Sequence, residues 1–85
     1  MISLHAIRVG DTISYKLRPI DMPNDPDRLW TGRVLIVIVD NPCLLDHVKV
    51  QILDDGFTGD SELVYPEQIV HHRPTHERTG VENIV

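Results

Sequence analysis

The sequence predicts an all-β protein, a small barrel of five to six short antiparallel strands with one 3-10 turn. Three observations support this fold class. Several short stretches alternate apolar and polar residues with the period of two of a β-strand, the segment Leu29–Asp40 contains the densest run of β-branched residues, and no stretch shows helical periodicity. Short strands joined by turn-rich segments are typical of small barrels.

Length and composition fit one small globular domain. The chain has 85 residues, 41% of them hydrophobic, and no apolar run approaches the ~20 residues of a membrane-spanning helix. The single cysteine, Cys43, excludes an internal disulfide and favours a reducing compartment. We therefore expect a cytoplasmic protein with a barrel domain at 10–73, an N-terminal arm or extra edge strand at 1–9 and a polar tail at 74–85.

The first strand is predicted over 12–17, with Ile13 and Tyr15 on its buried face. The following segment, 19–28, contains three prolines and three aspartates in ten residues. Proline removes a backbone donor and restrains the residue before it, so this segment fits neither a helix nor a central strand. We predict a long, stiff loop, and long loops in small domains are more often functional than idle.

The central strand is predicted over 29–40 and begins near the only tryptophan, Trp30. Its first half alternates, whereas both of its faces are apolar after Arg33. A strand that is apolar on both faces is usually covered on both sides. We therefore expect the face opposite the core to form an apolar strip that contacts another molecule: Leu35, Val37, Val39 and Leu53. The alternative is that three apolar residues of the arm cover this strip within the monomer: Ile2, Leu4 and Ile7.

The remaining strands are predicted from shorter signals. Alternation over 47–53 indicates a strand, the acidic turn 54–60 indicates a hairpin connection, and 61–65 indicates a fourth strand. The tripeptide Pro66-Glu67-Gln68 suits the 3-10 turn, because proline is favoured at the first position of a helix. A last short strand is predicted over 69–72.

The order of these features resembles Src-homology-3-like barrels. The matching segments span roughly Val9 to His72: Gly10-Asp11-Thr12-Ile13, Trp30-Thr31-Gly32-Arg33-Val34, Val48-Lys49-Val50 and Leu63-Val64-Tyr65-Pro66-Glu67-Gln68-Ile69-Val70. These barrels include adaptors, nucleic-acid binders and enzyme subunits, and the true Src-homology-3 domains among them bind proline-rich peptides on an aromatic groove. The resemblance therefore implies a groove at four positions of this chain: Tyr15, Trp30, Tyr65 and Pro66. The family's aromatic cluster after the first strand is missing here, and Ile69 stands at the position of its C-terminal tyrosine.

A distant similarity to the plasmid-borne type II dihydrofolate reductases lies in Gly10-Asp11, Trp30-x-Gly32 and Tyr65-Pro66. Those proteins are small barrels that assemble into tetramers around a central active pore. Of their signature Val-Gln-Ile-Tyr only Tyr65 is identical, and Leu63 replaces the glutamine that contacts both ligands. The resemblance thus implies the mode of assembly more than the reductase activity, and an oligomeric pore-type enzyme is kept as a second alternative.

No constellation of residues predicts a catalytic site, a cofactor or a metal. His71 and His72 face opposite sides of a strand, so at most one of them meets His76, and a transition-metal site needs three or four converging ligands. Cys43 has His47 four residues away but no third group to orient that histidine. The sequence therefore favours a non-catalytic protein.

The charge distribution bears on the choice of partner. The net charge of −5 arises entirely in 43–85, which carries three basic and eight acidic residues, and such a surface repels phosphate at long range. The favoured hypothesis is a module that forms a homo-oligomer or binds a protein partner, with no membrane contact. A nucleic-acid-binding barrel is the alternative, and it would use the basic residues Arg8, Lys16, Arg18, Arg28, Arg33 and Lys49.

Overall fold

The computed structural model describes residues 2–21 and 23–75. It contains five strands: β1 Thr12–Tyr15, β2 Trp30–Ile38, β3 His47–Ile52, β4 Ser61–Val64 and β5 Ile69–Arg73. All neighbouring strands are antiparallel and form one sheet in the order β4-β3-β2-β1-β5. Two 3-10 turns, Leu4–Ala6 and Pro66–Gln68, are the helical elements of the described residues. The predicted all-β class is confirmed.

The strands end where the backbone leaves extended geometry. β2 stops at Ile38, two residues earlier than predicted, because Asp40 adopts a left-handed conformation with φ of 57°. β1 stops at Tyr15, where the backbone N–H of Lys16 turns to donate to the carbonyl of Gln68 at 3.0 Å. Strand pairing leaves β4 and β5 as the two edges of the described sheet. No helix in this part of the chain has the length and apolar character needed to cross a membrane.

A β-bulge in β2 decides which of its side chains face the core. The pairing of β2 with β3 shifts register between Val34 and Ile36, so Leu35 is the extra residue. Before the bulge, an even-numbered residue, Val34, faces inward. After the bulge, the odd-numbered residues Val37 and Val39 pack against the core instead. One inserted residue reverses the face of every side chain that follows it.

The prediction that four apolar side chains form a strip on the face opposite the core is therefore wrong for two of the four. Val37 and Val39 are partly buried and pack against the core, Leu53 is half-buried, and Leu35 remains 39% exposed. Ile36, which the pattern placed on the core side, is instead 47% exposed. The prediction assumed an unbroken period of two, which a bulge violates.

Among the residues that the structure describes, eleven buried hydrophobic side chains form the core: Leu4, Ile7, Ile13, Tyr15, Trp30, Val34, Val48, Val50, Ile52, Val64 and Ile69. The N-terminal segment reaches this core through its 3-10 turn, not as an extra edge strand. The turn begins at Ser3, whose side chain accepts from the backbone N–H of His5. Burying a Leu or Ile side chain contributes roughly 1.5–3 kcal/mol, so this segment is an integral part of the domain.

A buried carboxylate joins the two ends of the described chain. Asp11 is fully buried, and its Oδ2 accepts from Nε2 of His72 at 2.8 Å and from the backbone N–H of Arg8 at 3.0 Å. Its Oδ1 accepts from the backbone N–H of Thr75 at 3.1 Å. Hydrogen bonds to an ionised acceptor are among the stronger ones in proteins. Asp11 therefore fastens the N-terminal segment and the residues after β5 to the start of β1.

Candidate binding cleft

A cleft of about 700 Å³ lies between the long loop 16–29 and the hairpin loop 53–60. Its floor is formed by Tyr15 and Trp30, which are paired neighbours on the inner face of β1 and β2. The end of β3 and the start of β4 form the wall on the hairpin side. The sheet thus supplies a rigid floor and the two loops supply the sides.

Side-chain hydrogen bonds fix both loops at their bases. The carboxylate of Asp54 accepts from the backbone N–H of Thr31 at 2.8 Å, which holds the hairpin loop beside β2. The Nε2 amide of Gln68 donates to the carbonyl of Lys16 at 2.9 Å, which holds the first residue of the long loop against the second 3-10 turn. The cleft is therefore bounded by anchored segments.

Trp30 lies between a cation and an aromatic edge. Cζ of Arg28 lies 3.9 Å from the centroid of the indole ring. The ring of Phe57 meets the indole at 77°, with 5.1 Å between the ring centroids. Both arrangements are attractive, because a cation favours the negative face of the indole and aromatic pairs prefer edge-to-face geometry. The indole is only 5% exposed, so Trp30 is at once a core residue and the floor of the cleft.

Two buried polar atoms at this floor lack a hydrogen-bond partner among the described residues: Oη of Tyr15 and Nε1 of Trp30. Leaving such a group unsatisfied costs about 1–3 kcal/mol, and folded proteins retain few of them. The indole N–H can only donate, whereas the phenol can donate or accept. Both atoms are closed to solvent, so a carbonyl oxygen of a ligand reaches them only when side chains at the cleft move aside.

Carboxylates line the wall of the cleft that β4 provides. Asp60 and Glu62 both contribute to it. Burial raises the pKa of Glu62 above its usual 4.5, the nearby carboxylate of Asp21 raises it further, and Arg18 acts in the opposite direction. A carboxylate whose pKa is raised at a concave site is costly to keep ionised and is a recognised mark of functional sites.

The phenol of Tyr15 responds to the same negative environment. Burial is the main cause that raises its pKa, and the carboxylates of Glu62 and Asp54 add to the effect. The raised pKa values of these two groups, which lie on different strands, therefore indicate a weakly solvated site with an excess of negative charge. Such a site favours a cationic ligand over an anionic one.

The substitution Glu62→Gln is expected to stabilise the free protein at pH 7 by about 0.5 kcal/mol or less, because solvent screens part of the effect. The pKa of Glu62 is raised in the folded state, so the stability linked to its protonated form is present below pH 4.5 and is lost as the pH rises through the folded-state pKa. Urea unfolding followed by Trp30 fluorescence measures the difference.

The advantage of Glu62→Gln should therefore shrink between pH 7 and pH 4. The matched control is Glu67→Gln, which makes the same change at an exposed position of the second 3-10 turn. It should leave the free energy of unfolding unchanged at both pH values. A Glu62→Gln protein that is less stable than the parent at pH 7 would contradict this account.

The four residues of the predicted groove divide between two places. Tyr15 and Trp30 share the cleft, whereas Tyr65 and Pro66 line a shallower depression beside the exposed residue Leu45. The ring of Tyr65 lies 5.7 Å from that of His47, measured between centroids. The groove splits because β4 lies at the edge of the sheet, two strands away from β2.

The predicted histidine group is likewise divided. His72 faces inward to Asp11, His71 is exposed on β5, and His76 lies outside the described residues. Within 2–21 and 23–75, no group of three or more His, Cys, Asp or Glu side chains is arranged to hold a metal ion. Cys43 is a free, exposed thiol in the loop after β2.

Sequence reasoning missed Arg28 and Phe57 as members of the site. Arg28 appears in the sequence analysis only among the basic residues of the nucleic-acid alternative. It precedes Trp30 by two positions, however, and residues two positions apart in an extended chain point to the same face. Phe57 stands in the polar turn 54–60, where a large apolar side chain is unusual. Both signals are visible in the sequence, but the contact of Phe57 with the indole is a tertiary one.

The cleft combines an aromatic floor, two polar atoms without partners and two carboxylates. This combination suits binding, because ligand sites are mostly apolar or aromatic with a few polar groups that fix orientation. No protein-family model, no curated protein and no solved structure matches this chain.

Proposed function

We propose that this protein is a non-catalytic interaction module that binds an extended segment of a partner protein in the cleft above Trp30. The observation that carries this proposal is an open cleft whose floor is formed by Tyr15 and Trp30. The polar atoms of these two residues, Oη and Nε1, are buried without a partner among the described residues. A peptide backbone offers a carbonyl oxygen at every residue, and such oxygens are the acceptors that an indole N–H requires.

The size and position of the cleft support the same proposal. Its volume of about 700 Å³ falls within the range of roughly 300–1,000 Å³ that is typical of ligand sites. Loops carried by a rigid scaffold are the usual location of binding residues. The Src-homology-3-like barrels that this chain resembles include peptide-binding adaptors. The proposal includes a cytoplasmic location, which the free thiol of Cys43 favours.

The direct test is a titration with capped pentapeptides that differ only in the central residue, either arginine, leucine or glutamate. Two-dimensional NMR should show shifts at the indole N–H of Trp30, at Tyr15 and in the loop 53–60. Trp30→Phe keeps an aromatic floor but removes the N–H, and we expect it to weaken binding about tenfold, the value of one hydrogen bond.

Leu45→Ala serves as the control for this titration, because Leu45 is exposed in the separate depression beside Pro66. It should leave the affinity unchanged. Shifts that cluster around Leu45 instead of Trp30, or the absence of shifts with all three peptides, would refute the proposal.

A second candidate function, the binding of a nucleic-acid backbone, is favoured by the outer face of the sheet. Strand pairing places Arg33 and Arg73 on either side of Thr12 in one row across β2, β1 and β5. The next row carries further polar side chains: Thr31, Ser14 and His71. Glu62 is the only acidic residue of the five strands, and its neighbour in β3 is the buried Val50. Cations and hydroxyl groups without carboxylates form a surface that suits phosphate.

This candidate predicts that a fluorescently labelled 20-base-pair DNA duplex binds at low salt and is released as the salt concentration rises. The double substitution of Arg33 and Arg73 by glutamine should abolish the anisotropy change. The double substitution of Arg8 and Arg18 by glutamine, which removes the same two charges from exposed positions outside the strands, is the control for net charge. No anisotropy change at low salt would exclude the candidate.

Self-association stays a prediction. The outer positions of β2 and β4 leave Ile36 and Leu63 each 47% exposed, on either side of Lys49 in β3. Apolar side chains in this position suit an interface between copies of the chain. Molar mass from light scattering at two salt concentrations decides it, and a monomer at both would exclude self-association.

A further inference from the structure

We infer that, in the free protein, the side chain of Arg28 occupies the position on Trp30 that a cationic side chain of the partner takes in the complex. Binding then exchanges one guanidinium group for another. This inference rests on the proposed function and names the chemistry of the partner, a segment that carries an arginine. The contact that carries it is the guanidinium of Arg28, with Cζ 3.9 Å from the centroid of the indole inside the cleft.

Arg28 differs from the other cations of its loop. Those two side chains pair with carboxylates of the loop itself, Lys16 with Asp27 at 3.5 Å and Arg18 with Asp21 at 3.4 Å. Arg28 forms no such ion pair with any described residue. Its guanidinium is therefore placed by the indole ring and by the negative charge of the cleft.

The charges of the cleft select a cation as the replacement. Asp60 and Glu62 line the cleft together with Arg28, and Asp54 lies close enough to act on the phenol of Tyr15. One guanidinium does not neutralise this group of carboxylates. An acidic ligand segment would meet them directly, whereas an incoming guanidinium keeps the attraction to the indole and to the carboxylates.

The exchange needs only side-chain movement. The backbone N–H of Arg28 donates to the carbonyl of Asp25 at 3.2 Å, so the backbone stays held while the side chain leaves the indole. Phe57, which covers the ring from the hairpin loop, is 40% exposed and can move aside. The contact between a cation and the indole is kept in the exchange. The complex is stabilised further because backbone carbonyls of the ligand accept hydrogen bonds from Nε1 of Trp30 and Oη of Tyr15.

Removal of the Arg28 side chain changes the peptide affinity in a direction that depends on its role. If Arg28 competes with the ligand, its removal strengthens binding of an arginine peptide. If Arg28 is instead a ligand-contacting residue, its removal weakens binding. Arg28→Ala should raise the affinity for the capped pentapeptide with a central arginine about five- to tenfold, the value of one partly exposed cation–aromatic contact.

The experiment titrates the arginine pentapeptide and the glutamate pentapeptide into the full chain, into Arg28→Ala and into Arg8→Ala. Arg8→Ala removes the same charge from the N-terminal segment, outside the cleft, and should leave the affinity within twofold of the parent. NMR gives a second readout. Cζ of Arg28 lies 3.9 Å from the centroid of the indole ring, so the neighbouring δ-protons should show ring-current shifts in the free protein and ordinary shifts when the arginine peptide is bound.

The outcomes separate this inference from the proposed function. Tighter binding of the arginine peptide by Arg28→Ala, together with displacement of the Arg28 δ-protons, supports both. Peptide binding at Trp30 that Arg28→Ala leaves unchanged or weakens, or a preference for the glutamate peptide, overturns the inference and retains the proposed function. Absence of binding by both peptides in the parent and in Arg28→Ala refutes the proposed function itself.

Discussion

Replacing Asp11 with alanine is expected to lower the free energy of unfolding by about 3–5 kcal/mol. Among the described residues, the substitution leaves three partly buried donors without their acceptor: Nε2 of His72 and the backbone N–H groups of Arg8 and Thr75. Each carries its own desolvation cost. Small domains are stable by little more than this amount, so the Ala variant should be largely unfolded at 37 °C. Circular dichroism during urea unfolding measures the loss.

Asp11→Asn keeps the shape of the side chain and one carbonyl acceptor, and it should lose about 1–3 kcal/mol. It therefore gives a measurable transition even if Asp11→Ala does not fold. The matched control is Asp55→Ala, which removes the same charge from an exposed position of the hairpin turn and should change stability by less than about 0.5 kcal/mol. An Asn variant as stable as the parent would mean that the Asp11 contacts do not stabilise the fold.

Replacing Gly32 with alanine is expected to cost about 2 kcal/mol or more through overpacking. A Cβ at this position of β2 would lie 2.6 Å from Cγ2 and 2.8 Å from Cβ of Val50, and 3.3 Å from Cε1 of Tyr15. Val50 and Tyr15 are both fully buried, so neither can move into solvent. The lower entropy of the unfolded chain offsets at most ~1 kcal/mol of this cost.

A double-mutant cycle tests this explanation. Val50→Ala removes Cγ2, the atom that the new Cβ would approach most closely, so the loss from Gly32→Ala should be smaller in the Val50→Ala background than in the parent. Gly59→Ala is the control, because no heavy atom lies within 4 Å of a Cβ built there. If the two losses simply add, the close approach of β2 and β3 at Gly32 is not the cause.

β1 and β3 could be predicted because they alternate over their paired length, and β2 because it carries a dense β-branched run. β4 and β5 have weaker signals and were predicted as short apolar segments next to turn-forming residues. The bulge at Leu35 could not, since Leu35 and Ile36 are both apolar and nothing in the sequence distinguishes an inserted residue from the next outward one. A strand that is apolar on both faces has no polar residue to mark the change of face. The error over Val37 and Val39 follows directly from this ambiguity.

The cleft was predicted only in part, and for a similar reason. Tyr15 and Trp30 were recognised because large aromatic residues are rare in this chain and both begin or end a strand. Tyr65 was grouped with them because the sequence does not specify the order of strands in the sheet. The role of Asp11 was missed because Gly10-Asp11 reads as an ordinary turn. Its partners His72 and Thr75 follow 61 and 64 positions later.

The sheet order has a consequence for the kinetics of folding. β2, β3 and β4 are consecutive hairpins, whereas β1 pairs with β5 across most of the chain, as in the pair Ser14 and His71. Closing so long a loop costs more entropy than closing a hairpin. The hairpins should therefore form before the transition state and β5 should dock after it. Asp11→Asn should then speed unfolding in stopped-flow experiments and leave the folding rate nearly unchanged. β5 would then be the last strand to pair during folding and the first to separate during unfolding.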